Sequence, residues 1–228
     1  MGKSYLKRIS APKTWQILRK TTTYITKPSP GTHSLELGMP LSVILKEVLN
    51  YAKNSREVKK ILNTNEIKVD GTSRKNPRFQ VGIFDTMELS TGECFRMTIS
   101  KNGKLAILKI SKDEAGIKPC KIVGKTMYKG KVQLNLYDGN NIFVDKDGYK
   151  VGDTVMLSLP DKKITKHIRL DKKSSVFLIG GKHIGETGHV EDVSGNKIIY
   201  KDKGGNTIET SKSYAFVVGD SKPLVTLE

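Results

Sequence analysis

Short alternating segments separated by glycine-containing turns dominate the sequence after Leu89, and they constrain the fold more than any other feature. Apolar and polar residues alternate over about four to eight positions, which is the period of a strand with one buried face. Dipeptides that favour tight hairpin turns stand between several segments, because glycine adopts the positive φ that such turns need. These dipeptides are Asn102-Gly103, Lys129-Gly130, Asp138-Gly139 and Asp147-Gly148. The pattern predicts antiparallel β structure.

The alternating segments fall into two groups, which we interpret as two β domains. The first group predicts a compact antiparallel domain over residues 91–173, of the kind that can close into a barrel. Its strands are expected at residues 95–99, 105–110, 121–128, 132–137, 154–159 and 164–170. The second group predicts a smaller barrel over 174–219 and a C-terminal tail at 220–228. Its strands are expected at residues 176–179, 189–193, 197–200 and 207–210.

Residues 40–90 have a different pattern, because apolar residues between Leu41 and Ala52 recur at three- and four-residue steps, which is typical of a helix. A second short helix is expected from Ser55, as its N-cap, to about Leu62 or Asn63. An alternating strand at 66–69 and an Asp70-Gly71 turn follow. The fold class is therefore α+β and mostly β, with a small αα-hairpin-plus-strands module before the β domains.

The second helix separates its charged residues from its apolar ones. Arg56, Lys59 and Lys60 fall on one face by the three- and four-residue rule, whereas Val58 and its apolar neighbours fall on another. One face should pack against the protein, and the other should present cations. An ordinary solvated face would show the same pattern.

The positive charge of the chain is concentrated near its N-terminus. The net charge is +17, and residues 1–35 contain seven lysines and arginines and no acidic residue. The first 80 residues hold 11 of the 17 excess charges. A polyanion, above all nucleic acid, is the expected partner. A membrane is not expected, because no basic amphipathic helix, signal-peptide core or spanning apolar run is present.

Residues 1–39 form the basic N-terminal extension, which contains several prolines and no sustained helical stripe. We expect it to build no core of its own and to be disordered or ordered only against a partner. Trp15, the only tryptophan, could stack on a base or pack on the helical hairpin. Packing is favoured, since a lone tryptophan is usually an apolar anchor.

Catalytic, metal and cofactor sites are not predicted. The four histidines are dispersed, and Cys94 and Cys120 form no C-x-x-C pair, so both cysteines are expected to be packing residues. A P-loop would need glycine at Val176 and Ser or Thr at His183. Carboxylates such as Asp85 are expected to be surface charges, since nothing nearby marks a nucleophile.

Three segments resemble a known family. Residues 7–17 read Lys-Arg-Ile-Ser-Ala-Pro-Lys-Thr-Trp-Gln-Ile and are similar to the N-terminal signature of the archaeal and eukaryotic type of small-subunit ribosomal protein S-four, the S-four-e family. Residues 30–33, Pro-Gly-Thr-His, also match. One departure is Tyr5, where the family usually has histidine. Residues 55–71 resemble the RNA-binding module named after bacterial ribosomal protein S-four. Residues 181–190 are similar to a KOW motif.

The resemblance implies a non-enzymatic, cytoplasmic, ribosome-bound protein with a C-terminal SH3-like KOW barrel. Its partners would be small-subunit ribosomal RNA and neighbouring small-subunit proteins, with no cofactor, metal or membrane. An RNA-binding part of a tRNA- or rRNA-modifying enzyme system is the alternative, because the same module occurs there. The expected RNA contacts are Lys7, Arg8, Lys13, Arg19, Lys20, Arg56, Lys59, Lys60, Arg74, Lys75, Arg78, Lys182 and His183.

Overall fold

The computed structural model describes residues 5–64, 67–145 and 147–227, and these form two compact units. Unit 1 contains the described residues up to Thr98 together with Lys104–Gly116, and unit 2 contains Ile99–Gly103 and the described residues from Ile117 onward. Strands predominate and helices are short and few among these residues, so the prediction of a mostly β, α+β fold is confirmed. No helix of the described chain is long and apolar enough to cross a membrane.

Unit 1 combines short strands with three short helices. Its strands are β1 (Leu6–Lys7), β2 (Tyr24–Ile25), β3 (Gly38–Pro40), β4 (Ile67–Val69), β5 (Thr72–Ser73), β6 (Gln80–Gly82), β7 (Thr86–Leu89), β8 (Cys94–Ile99) and β9 (Leu105–Ile110). Only the last residue of β8, Ile99, belongs to unit 2. Its helices are α1 (Leu41–Val43), which continues as a π-helical turn (Ile44–Val48), α2 (Ser55–Asn63) and α3 (Lys112–Ala115), and a 3₁₀ turn covers Arg8–Ser10.

The first helix (α1 with its π-helical turn) and α2 are the two central helices of unit 1, and the sequence predicts them unequally well. The first is shorter and wider than its apolar spacing predicts, since it ends after Val48 and Asn50 then adopts a positive φ of 55°. For α2 the extent is confirmed, but the cap is wrong by one residue. Asn54, not Ser55, is the N-cap, and its side-chain oxygen accepts hydrogen bonds from the backbone N–H groups of Arg56 and Glu57, each at 3.0 Å.

A five-stranded antiparallel sheet in the order β5-β4-β7-β8-β9 forms the body of unit 1. The Asp70-Gly71 turn joins β4 to β5 with positive φ at both residues, as predicted, and the expected strand at 66–69 is confirmed over Ile67–Val69, with Glu66 outside the described residues. The predicted domain boundary between residues 90 and 91 falls between β7 and β8, which are paired neighbours. Strands 94–99 and 105–110 thus share a sheet with the helical module, and the domain division remains a prediction.

The basic extension packs within unit 1 and forms no separate core, so the prediction that it is disordered or ordered only against a partner is wrong. Ala11 and Trp15 are buried, and Ile25 lies at the edge of burial. The backbone of Thr14 accepts a 2.7 Å hydrogen bond from the N–H of Leu105 in β9. The extension contributes few apolar residues, but these are buried, and its backbone is hydrogen-bonded to a strand far along the chain. Its order therefore comes from the protein itself.

Unit 2 consists of two five-stranded antiparallel sheets. Their orders are β12-β11-β10-β13-β14 and β18-β17-β16-β15-β19. The strands are β10 (Ile117–Tyr128), β11 (Lys131–Leu136), β12 (Asn141–Val144), β13 (Thr154–Ser158), β14 (Lys163–Ile168), β15 (Ser175–Leu178), β16 (Thr187–Ser194), β17 (Lys197–Asp202), β18 (Thr207–Ser211) and β19 (Ala215–Gly219). Each of the eight strands predicted between residues 121 and 210 overlaps one of these.

The turns of unit 2 agree with the sequence except at one place. Lys129-Gly130 joins β10 to β11 with positive φ at both residues, and Asp138-Gly139 joins the paired strands β11 and β12. Asp147-Gly148 does not make a hairpin, because β12 and β13 are not neighbours in the sheet. The apolar core against the sheet of β10 to β14 contains Ile122, Leu134 and Val155, all of which are fully buried.

Lys121 of β10 is a buried cation whose ammonium donates three hydrogen bonds to backbone carbonyls. The acceptors are Lys212, Ser213 and Ala215, at 2.8, 3.0 and 2.7 Å. Burial, together with repulsion from Lys212, lowers the pKa of Lys121 from 10.5 to about 8. The three carbonyls bind the ammonium, but they do not replace its lost hydration.

We expect this lysine to make stability rise with pH. Between about pH 8 and 10.5 the unfolded chain binds more protons than the folded chain, because the pKa of Lys121 is lower in the folded state. Raising the pH across that window should add up to about 3 kcal/mol to the free energy of unfolding. Denaturant unfolding of the wild type and of Lys121→Met at several pH values checks this. Parallel pH profiles for the two proteins would contradict it.

Candidate nucleic-acid interface

The outer face of α2 presents the cations that the sequence predicts. Arg56, Lys59 and Lys60 are exposed, whereas Val58 and Leu62 on the other face are fully buried. None of the three cations pairs with an acidic side chain in the described part of the chain. Because the helix is anchored by its apolar face and capped at its N-terminus, these charges have a rigid support. We call Arg56, Lys59 and Lys60 the α2 cation face.

Glu57 lies among these cations, but its carboxylate is hydrogen-bonded at the start of the helix. Its carboxylate accepts a 2.7 Å hydrogen bond from the backbone N–H of Lys53 and a 2.8 Å bond from the side-chain amide of Asn54. With the cap of Asn54, this arrangement reciprocally satisfies donors at the N-terminus of α2. The carboxylate thus serves the helix cap rather than the neighbouring cations.

The segment after the Asp70-Gly71 turn contains three of the predicted RNA contacts, two of them exposed and one half-buried. Lys75 and Arg78 are exposed. Arg74 is half-buried, with its guanidinium carbon 4.5 Å from the ring centroid of Phe79, so it stacks on the protein. The sequence predicts a charged loop here, but it does not predict that one arginine lies against an aromatic ring.

Two arginines of the basic extension point inward. Arg8 is 3% exposed and forms a bidentate ion pair with Glu47, at 3.1 and 2.7 Å, which lowers the pKa of that carboxyl. Arg19 donates hydrogen bonds of 2.7 Å to the carbonyls of both Ala11 and Pro12. Both guanidinium groups are used by the fold, so we leave Arg8 and Arg19 out of the proposed contact surface. Lys7, Lys13 and Lys20 are exposed.

Buried polar contacts fix the extension in place. His33 Nε2 and Asp85 Oδ2 are 3.0 Å apart, with side chains only 1% and 4% exposed. The same carboxylate oxygen accepts a 2.8 Å hydrogen bond from the N–H of Gly82. Asp85 is therefore not a surface charge, and that prediction is wrong. The match at residues 30–33 gives the histidine, but its carboxylate partner is 52 positions away, and only the fold brings them together.

Trp15 packs against protein, as the sequence favours. Its side chain is 2% exposed, and the indole N–H donates to the carbonyls of Gly38 and Leu35 at 3.0 and 3.3 Å. The indole thus joins the first part of the extension to its last residues, just before the first helix. A stacking role on RNA is excluded in this conformation, because the ring is covered.

A cleft in unit 1 brings three predicted contacts, Arg8, Lys59 and Arg78, together with residues that the sequence did not predict as contacts. It has a volume of about 440 Å³, and we call it the basic cleft. Its cationic lining residues are Arg8, Lys27, Lys46, Lys59 and Arg78, and its aromatic and hydroxyl-bearing lining residues are Tyr5, Tyr24, Thr26, Ser42 and Ser55. The lining comes from the residues on either side of β1, from β2 and the residues after it, from the first helix and α2, and from the segment before β6. Residues so distant along the chain carry no shared periodicity that could have signalled the cleft.

The predicted contacts of unit 2 lie in the glycine-rich segment after β15, and they differ in exposure. Lys182 is exposed. His183 is half-buried, and its Nδ1 atom lies 3.0 Å from Oε2 of Glu186 in the same segment. The imidazole therefore already has a carboxylate neighbour, so Lys182 is the more accessible of the two predicted contacts.

Cysteines and acidic residues are the side chains that could supply metal ligands or a nucleophile. Among the described residues, no group of three or more His, Cys, Asp or Glu side chains could hold a metal ion. Both cysteines are free and buried, so the prediction that they are packing residues is confirmed. Burial, with a smaller effect of Glu88, raises the pKa of the Cys94 thiol, which makes it a poorer nucleophile.

The sequence of this chain matches family models and relatives that identify its protein family. A model of Ribosomal family S4e matches residues 91–164, and a model of the RS4NT (NUC023) domain matches residues 2–36. Small ribosomal subunit protein eS4 of Methanocella arvoryzae is 40% identical over 233 residues, covering 97% of each chain. The chain belongs to ribosomal family S4e. It is thus a member of a family of ribosomal proteins rather than enzymes, and the resemblance in the N-terminal signature is confirmed.

Further S4e relatives match over nearly the whole chain. The eS4 proteins of Methanothermobacter thermautotrophicus and Methanococcus maripaludis are 38% and 36% identical, and each alignment covers 99% of this chain and 96% or more of the relative. The crystal structure of 30S ribosomal protein S4e from Thermoplasma acidophilum has a TM-score of 0.71 and 28% identity. It covers 84% of this chain and 99% of its own.

Proposed function

We propose that this chain is a structural component of the small ribosomal subunit and binds ribosomal RNA through basic surfaces, chiefly in unit 1. The observation that carries the proposal is the α2 cation face, whose three exposed cations stand on a helix anchored by fully buried Val58 and Leu62. Folded RNA is recognised mainly through phosphates, 2′-hydroxyls and shape, so cations on a rigid support suffice. Family membership supports the ribosomal half of the proposal.

The remaining predicted contacts extend this surface. In unit 1 we include the exposed side chains of Lys7, Lys13, Lys20, Lys75 and Arg78, and we retain Arg74 as a stacked residue at the edge of the surface. Phosphate contacts position a protein on RNA without reading its sequence. Unit 1 should therefore bind by charge and shape.

For unit 2 we infer that residues 174–219 form a KOW-type SH3-like barrel, with Lys182 and His183 as further RNA contacts. The five-stranded antiparallel sheet of β15 to β19 and the glycine-rich segment after β15 support this assignment. Neighbouring small-subunit proteins are the other proposed partners, and the cytoplasm, where ribosomes work, is the proposed location.

Sedimentation of a cell extract tests the function. We expect the endogenous or tagged full-length chain to travel with small ribosomal subunits and with complete ribosomes through a sucrose gradient. It should remain with the small subunit when low Mg²⁺ separates the two subunits. A chain found only at the top of the gradient would overturn the proposal, whatever its affinity for purified RNA.

A further inference from the structure

We propose that the basic cleft binds one unpaired nucleotide of the RNA, with its phosphate held by cations and its base stacked on tyrosine. This inference rests on the proposed function and adds a defined subsite to it. The cleft is distinct from the exposed α2 cation face, because only Lys59 belongs to both.

The charge of the cleft favours an anion. Lys46, Lys59 and Arg78 line it, and no acidic side chain does so among the described residues. Arg8 also reaches the wall, but Glu47 neutralises its charge. The chain has a net charge of +17 and is proposed to bind RNA, so the expected anion is a phosphodiester of the RNA backbone.

Ser42 is a second, independent indication of a ligand. It lies at the start of the first helix, is 3% exposed and lines the cleft. Its Oγ atom is buried and has no hydrogen-bond partner in the described chain. A buried hydroxyl without a partner is destabilising, and rotation of this side chain toward the cleft would let a phosphate oxygen or a ribose hydroxyl supply the missing bond.

Two tyrosines make the cleft suitable for a nucleotide rather than for free phosphate. Tyr5 and Tyr24 are 47% and 57% exposed, and their ring centroids are 5.5 Å apart in an edge-to-face arrangement. Both line the cleft. Exposed aromatic rings beside cations are the usual platform for unpaired bases, whereas the bases of a duplex are already stacked.

The walls of the cleft are held by backbone hydrogen bonds, so the site is formed before RNA arrives. The N–H of Ser42 donates to the carbonyl of Pro77 at 3.0 Å, and the N–H of Ser29 donates to the carbonyl of Arg78 at 2.9 Å. These bonds tie the first helix and the extension to the segment before β6. A preformed site loses little conformational freedom on binding.

The test uses the full chain and a fluorescein-labelled, random-sequence, single-stranded RNA octamer. Tyr24→Ala should weaken octamer binding about five- to a hundredfold, as expected for one stacked base. Ser42→Ala should weaken it about tenfold without lowering the thermal unfolding midpoint, since it removes an unpartnered hydroxyl. Lys46→Gln should lower the slope of log affinity against log salt by about 0.7. The matched control is Tyr128→Ala, which removes a tyrosine that is 53% exposed in unit 2.

The outcomes separate this inference from the function on which it rests. If Tyr24→Ala and Ser42→Ala bind the octamer like the wild type while the chain still sediments with small subunits, the cleft assignment is overturned and the function stands. If Tyr128→Ala weakens binding as much as Tyr24→Ala does, the cleft assignment is also overturned. A wild-type chain that fails to join small subunits overturns the function instead.

Discussion

Replacing Arg56, Lys59 and Lys60 together with glutamine is expected to weaken binding to small-subunit ribosomal RNA across sequences and to flatten its salt dependence. Each phosphate contact contributes about 0.7 to 0.9 to the slope of log affinity against log salt, so losing three contacts should reduce the slope by roughly two to three. The fold should be unaffected, because all three side chains are exposed and the buried face of α2 is unchanged. Titrations at several salt concentrations measure the slope.

The matched control removes the same amount of charge elsewhere. Lys163, Lys166 and Lys197 are exposed in unit 2, and each pairs with an acidic side chain, at 3.6, 2.8 and 2.6 Å respectively. Their replacement by glutamine alters the net charge equally, but each site is already locally neutralised. We expect its slope to stay within about one unit of the wild-type value. An unchanged slope for the α2 variant, or equal slopes for both variants, would contradict the assignment.

Trp15→Ala should destabilise unit 1 by about 3 to 5 kcal/mol, because it empties the space of a large buried side chain and leaves two carbonyls without their donor. A domain is typically stable by only about 5 to 15 kcal/mol, so this is a large share. Hydrogen exchange measured peptide by peptide should show faster exchange in β3 and β9, with peptides of unit 2 as an internal control.

Trp15→Phe separates the two causes of this loss. It retains most of the apolar volume and removes only the indole N–H, so it should cost clearly less than Trp15→Ala. If Trp15→Ala left exchange in β3 and β9 unchanged, the indole would not be the anchor that its 2% exposure indicates.

The sequence predicts local structure well where one segment contains all the information. The extent of α2, the Asp70-Gly71 turn and the β-hairpins follow from periodicity and from the positive φ that glycine permits. The α2 cation face is visible for the same reason, since its residues are three and four positions apart on one helix.

Features that join distant segments could not be predicted. No local sequence pattern shows that Asp85 pairs with His33 or that Glu47 pairs with Arg8. Nor does any show that the backbone of the basic extension is hydrogen-bonded to β9. The same holds for the basic cleft, whose walls come from separate parts of unit 1. Composition describes the extension as charged and poor in apolar residues, but its order depends on a few contacts that composition does not count.

The inward position of Arg8 and Arg19 determines what kind of attraction the extension can exert. These are the only arginines among the first 35 residues, so the cations that it exposes are lysines. A lysine ammonium is a compact, strongly hydrated point charge on a flexible stem, whereas the planar guanidinium clasps phosphate with two parallel bonds. The extension should therefore tolerate sliding and local rearrangement of the RNA beneath it, and orientational precision must come from elsewhere in the protein.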